Sequence, residues 1–173
     1  MQTVRLVKPE NVWKEAYLSF YEDWKKSQEL MVPWVISTEP YDFEGMLTFL
    51  SNQENGIDLP EGWVKTSTYW LVTATEQVVG VVNIRHNLNE KLLNAGGHIG
   101  YGICPSARGN SYAVSMLALA LEKAKELGIS RALVVCDSDN IASKKTILRN
   151  GGTPDKDYID EDGKRMNRFW IEL

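Results

Sequence analysis

The spacing of apolar positions changes along the chain, and each change marks an element. Residues 4–7 (VRLV) alternate apolar and charged side chains and stop at Lys8-Pro9, which predicts a first strand. Over residues 12–28 the spacing is helical, with Trp13, Ala16, Tyr17, Phe20 and Trp24 on one stripe and Asn11 placed to cap it. A loop, MVPWVISTEPYDF, leads to a second helix over 43–52, with Met46, Leu47, Phe49 and Leu50 facing inward. ENGIDLPEGWV is turn-rich and reads as a surface loop. Then β-branched and aromatic runs take over at 67–74, 78–86 and 98–103. Thr75-Glu76-Gln77 joins the first two, and the longer polar NLNEKLLNAGG joins the second to the third. Trp70, and Trp170 further on, sit inside strand patterns and are expected in the core.

Helical spacing returns with Ala113, Met116, Leu117, Ala120, Leu121, Ala124 and Leu127, stopped by Gly128. A strand over 131–136 follows, then a short helix over 141–149 capped by Asp139 or Asn140 and ended by Gly151-Gly152. The tail reads as two strands about the hairpin signal Asp162-Gly163. The order is β-α-α-β-β-β-α-β-α-β-β. It predicts an α/β (α+β) fold with a mixed, mostly antiparallel sheet and helices on both faces. No repeat or linker divides the chain, so residues 1–173 are expected to form one domain.

Composition narrows the functional classes. Hydrophobic residues make up 43% and charged residues 24%, an ordinary folded balance. A net charge of −4 lacks the basic face that displaces counterions, so nucleic acid is not an expected partner; the balance suits a cationic small partner, but ordinary solubility accounts for it better. MQTVRLVKPENVW carries no apolar leader, and no window approaches the about 18 apolar residues of a membrane span. Cys104 and Cys136 are far apart with no ligand spacing around them, so no metal site is expected. Reduced thiols and a cytoplasmic location are the default.

The stretch PSARGNSYAVSML (residues 105–117) opens the third long helix. Helix N-termini leave backbone N–H groups unpaired and carry partial positive charge. A tight loop there, with Gly109 allowing close approach, suits a diphosphate. A plain polar helix cap after Pro105 explains the same residues.

The wider pattern resolves the choice. Ile103-Cys104-Pro105 followed by Arg108-Gly109-Asn110-Ser111-Tyr112-Ala113 resembles the Arg/Gln-x-x-Gly-x-Gly/Ala signature of the GCN5-related N-acetyltransferase (GNAT) superfamily. DSDNIASKKTILRNGG resembles that family's Asn-x-x-Ala/Ser helix, and HIGYGI and RFWIEL are similar to its bacterial predicted acetyltransferase subgroup. Ser111 stands where the signature has its first glycine, with a helical φ expected for it. The resemblance implies about seven strands, with strands 4 and 5 splayed. It implies acetyl-CoA as the cofactor, without a metal. Tyr101, Gly102 and Ile103 would bond the pantetheine arm. Arg108, Gly109, Asn110, Ser111, Tyr112, Ala113 and Val114 would cradle the pyrophosphate, with Asn140, Ser143 and Lys144 close by. An amine of a small molecule or peptide would attack the thioester directly in a ternary complex. Its expected contacts are Trp34, Tyr41, Arg85 and His86, although packing in the core between helices accounts better for Trp34, and pairing with a nearby carboxylate accounts better for Arg85 than orienting an acidic group on the acceptor. A homodimer is possible. The tyrosine that many relatives place seven residues after the asparagine is here Ile147, so no acid carries over. His98 and, after it, His86 are the candidate bases, and Cys136 is a candidate substitute for the missing acid. A CoA-binding module with weak or no activity, and an interaction protein with an empty helix mouth, are the alternatives.

Overall fold

A computed structural model describes residues 3–173. The elements are β1 (Val4–Val7), α1 (Lys14–Ser27), α2 (Phe43–Asn55), β2 (Thr66–Thr73), β3 (Val78–Arg85), β4 (Ile99–Ile103), α3 (Tyr112–Glu126), β5 (Arg131–Asp137), α4 (Ile141–Arg149), β6 (Thr153–Pro154), β7 (Tyr158–Ile159) and β8 (Arg165–Glu172). The predicted order stands, with one strand more than expected. β6 is two residues long and contains Pro154, so no alternation announced it; it forms only because β8 offers a partner. Asn11 is not the cap expected of it. It sits inside a 3₁₀ turn, Asn11–Trp13, and neither that turn nor α1 has a side-chain cap. Asp42 caps α2 by accepting from Gly45 N–H at 3.0 Å, and Asn140 caps α4 by accepting from Ser143 N–H at 3.0 Å.

The strands form two antiparallel sheets. One runs β1-β2-β3-β4; the other runs β5-β8-β6, with β7 also on β8. Helices cover both faces of the first sheet. Tyr69, Leu71, Val82 and Ile84 pack toward α3, in a cluster with Met116, Leu117 and Ile147. Trp70, Val72 and Val81 pack the other way, against Tyr17, Phe20 and Trp24 of α1 and Phe43 and Met46 of α2. Trp70 stacks on Tyr17 with ring centroids 4.1 Å apart. Trp170 is not the core residue expected from its pattern. It is partly exposed, lies beneath Arg131, and its indole N–H donates to Asp155 at 2.9 Å.

The two sheets are joined through His98, immediately before β4. Its N–H donates to Leu133 O of β5 at 2.7 Å, and Leu133 N–H donates back to the imidazole Nδ1 at 2.9 Å. Beyond that point β4 and β5 are not paired as a sheet, so they diverge and leave a cleft. The opposite face of β4 is pressed by the loop after α1. A Cβ on Gly102 would lie 1.9 Å from Val32 O and 2.6 Å from the Trp24 ring. Gly102→Ala should therefore cost about 2 kcal/mol or more, by forcing that loop off the strand. Urea denaturation measures the loss, and an unchanged midpoint would show that the loop yields freely.

Candidate active site

β4 carries the backbone groups that a ligand in the cleft can use. Arg85 N–H donates to His98 O at 2.7 Å and Cys104 N–H donates to Val79 O at 3.0 Å, so even-numbered residues of this strand turn their peptide groups to β3. By the two-residue period, Tyr101 and Ile103 turn theirs into the cleft. Gly102 does not; its peptide faces β3, and its missing side chain admits the Val32 loop instead.

The helix mouth lies just beyond. Gly109 and Ser111 both have positive φ, +84° and +62°, and Asn110 between them does not. Ser111 thus departs from the helical φ expected of it. A side chain in the left-handed region costs about 1 to 2 kcal/mol, a strain kept where surrounding structure or a ligand needs the geometry. Alternating hands turn successive N–H groups toward one side, which builds an anion-binding nest. Among the described residues, the N–H groups of Gly109, Asn110, Ser111 and Ala113 find no protein acceptor, while Val114 N–H and Ser115 N–H both donate to Ser111 O. The unpaired donors fit a pyrophosphate. Arg108 closes the loop from behind. Its Nε donates to Ile103 O at 3.2 Å, its Nη1 pairs with Glu29 at 2.7 Å, and its guanidinium lies over Trp24.

Across the cleft, Tyr101 reaches from β4 to α4, its hydroxyl 2.9 Å from Ser143 Oγ. Burial pushes the Tyr101 hydroxyl up to about 12. Lys144 is half-buried beside Ser143, and Ile147 is fully buried in the core, where a polar replacement would find no water.

This arrangement of splayed strands, a free strand edge and an anion nest agrees with sequence comparison. The acetyltransferase (GNAT) domain family matches residues 4–153. The chain belongs to the GNAT acetyltransferases. As a member it is an acetyl-CoA-dependent acyltransferase. No curated protein is similar enough in sequence to count as a relative. Among solved structures, the microcin C7 self-immunity acetyltransferase MccE, in complex with acetyl-CoA and AMP, is 15% identical with a TM-score of 0.68, over 98% of this chain and 92% of that one. RimL, a ribosomal L7/L12 α-N-protein acetyltransferase solved with coenzyme A, is 19% identical with a TM-score of 0.69, over 100% and 96%. A spermidine N-acetyltransferase chimera from Vibrio cholerae is 11% identical with a TM-score of 0.62, over 98% and 94%. At these identities the likeness is one of fold.

The residues expected to meet the acceptor are only partly brought together. A cavity of about 360 Å³ lies between the loop after α1, the loop before β2 and a single π turn, Leu92–Gly96. Trp34 and Arg85 line it, together with Trp63, Thr66 and Lys91, which the sequence did not single out. Trp63 gave only a faint signal, an aromatic in a turn-rich loop. Its ring meets Trp34 edge-on at 5.0 Å. Tyr41 lies elsewhere: its hydroxyl accepts from Lys25 at 2.7 Å and donates to Glu22 at 2.9 Å. His86 is outside the cavity lining too, with Nε2 on Ser67 Oγ at 2.8 Å.

His98 gives its Nδ1 lone pair to Leu133 N–H, and burial, with Arg85 nearby, lowers its pKa to about 4. A neutral ring whose lone pair is already used has nothing left to take a proton from an amine. Burial likewise pushes the Cys136 thiol up, so it is not an activated thiolate. Because the folded pKa of His98 lies below its unfolded value, the folded form binds fewer protons than the unfolded one between about pH 6.5 and 4. Its contribution is complete above that window and is lost as pH falls through it, by up to about 3 kcal/mol. His98→Asn, which keeps an acceptor but does not titrate, should flatten the fall in stability between pH 7 and 4. Urea titrations at several pH values check this, and parallel pH profiles for the two proteins would refute it.

Proposed function

We propose that the protein transfers the acetyl group of acetyl-CoA to a primary amine of a small molecule or peptide, by direct attack within a ternary complex. The observation that carries the reading is the alignment of a cleft-facing strand edge at Tyr101 and Ile103 with the nest of N–H groups at Gly109, Asn110, Ser111 and Ala113. In this reading the nest holds the pyrophosphate and the strand edge holds the pantetheine arm as an added strand would. Asn140, Ser143 and Lys144 flank the arm from α4. Acetyl-CoA, when bound, supplies the thioester carbonyl that the amine attacks. The N–H of Ile103 or Tyr101 is the donor placed for the developing oxyanion.

The Tyr101–Ser143 pair answers the loss of a tyrosine at Ile147. A phenol raised to about 12 holds its proton against a thiolate whose ordinary pKa is about 8.5. The pair therefore stabilises the departing sulfur by donating a hydrogen bond, with Tyr101 orienting the Ser143 hydroxyl, rather than by giving up a proton. That weakens the case for an inactive CoA-binding module. Gly109→Val, which places a branched side chain at φ +84°, should weaken CoA binding by about tenfold or more. Ser143→Ala should leave CoA affinity nearly unchanged and lower kcat by about tenfold to a hundredfold. Calorimetry with CoA and thiol release with an amine panel read the two effects. Unaltered affinity in the first variant would mean that the nest is not the cradle.

A further inference from the structure

The cavity beside Trp34 is cationic. The ionisable side chains that line it are Arg85 and Lys91, and no carboxylate does. Arg85 stands at the end of β3, directly across from Thr66 in the β2–β3 register. Its Nη1 donates to Gly96 O at 3.0 Å and Gly97 O at 3.2 Å. Among the described residues no carboxylate pairs with it; each ion pair of the structure is made by other residues. Burial holds its pKa below the ordinary arginine value.

Arg85 is half-buried, and a charged group drawn partly out of water without a counter-ion carries a desolvation cost. Tying the turn at Gly96 and Gly97 does not explain it, because that tie uses one of the two terminal nitrogens. The other, Nη2, and Nε carry three further N–H donors in a planar fork suited to a carboxylate. Thr66 Oγ1, on the same cavity wall, is buried without a hydrogen-bond partner among the described residues. The guanidinium also lies against Gly100 of β4: a Cβ there would be 3.5 Å from both Nη1 and Nη2. Gly100 precedes Tyr101, whose peptide faces the cleft. The cationic end of the cavity therefore adjoins the strand on which acyl transfer is placed. Its remaining walls include the two perpendicular indoles of Trp34 and Trp63.

We propose that the acceptor is an amine carrying its own carboxylate on an apolar body, the carboxylate seated on Arg85 and the body against Trp34 and Trp63. This rests on the acetyltransferase reading and narrows it to amino-acid-like acceptors. A cavity of about 360 Å³ is of the size that takes a small molecule. A polyamine is disfavoured, because its ammonium groups would meet Arg85 and Lys91.

Binding and transfer are measured separately. Titration of the CoA-loaded protein, followed by tryptophan fluorescence, compares L-phenylalanine, L-leucine and L-methionine with their carboxamides and with spermidine. The expected result is that at least one amino acid binds about tenfold or more tightly than its amide. That preference should vanish in Arg85→Gln and survive in part in Arg85→Lys. Should Arg85→Gln fail to fold, Lys91→Glu, at the exposed edge of the cavity, is expected to weaken amino-acid binding and strengthen that of spermidine. Equal affinity for acid and amide, spermidine bound tightest, no binding by any of the panel, or a preference that outlives loss of the guanidinium would each overturn the proposal. Thiol release from acetyl-CoA with the same panel tests the other reading. Carboxylate-selective binding with no transfer to any amine would uphold the cavity assignment and count against acyl transfer.

Discussion

Two hydrogen bonds between His98 and Leu133 set the geometry of the molecule. One is an ordinary backbone contact between neighbouring strands; the other replaces the next backbone bond with an imidazole nitrogen. The side chain thereby occupies the place that β4 would use to go on pairing with β5, so the two sheets meet at a point and part. An acceptor nitrogen is needed there, and a neutral ring is the form that burial favours. The cleft, the free strand edge and the access to α4 all follow from that single substitution of side chain for backbone.

β4 is consequently asked to do different things on each side. Its odd-numbered peptides face the cleft, while its glycines admit neighbours on the face turned toward α1: Val32 and Trp24 at Gly102, Pro33 and the Arg85 guanidinium at Gly100. A side chain at Gly102 would separate the loop after α1 from the strand, whereas a Cβ at Gly100 would rest in ordinary contact with Pro33 and the guanidinium. Arg108 ties the end of the same strand to the helix mouth and, through Glu29, to the loop after α1. In the proposed reading, cofactor side and acceptor side are thus two surfaces of one short strand.

The order of elements was legible because each long segment buries one face, and the burial repeats at 3.6 or two residues: Tyr17, Phe20 and Trp24 in α1, Met116 and Ala120 in α3. The signature at 103–113 placed the helix mouth for the same reason, since its spacing is local. What was not legible depends on contacts distant in sequence. β6 exists because β8 is there to pair with it, and Trp170 is partly exposed because of how Asp155 and Arg131 fold against it. Ser111 adopts a left-handed φ against its own preference. The Tyr101–Ser143 contact joins residues from separate signatures, and Trp63 joins Trp34 from a loop with no pattern at all.

Charge shows the same separation of local from global. A net charge of −4 suggests at first a cationic partner, and that is sound for a field felt at long range. Salt screens such a field over about 8 to 10 Å, whereas a buried group acts on what touches it. Several of the carboxylates that make the total negative are held in ion pairs of their own, with Lys8 on Glu54, Arg131 on Glu172, Lys164 on Asp137 and Arg168 on Asp155. None of them reaches Arg85. In a cavity walled in part by indoles, one guanidinium with no carboxylate partner outweighs a diffuse excess of four negative charges. In the proposed reading, recognition of the acceptor is therefore set by a handful of residues whose local charge is opposite in sign to that of the whole chain.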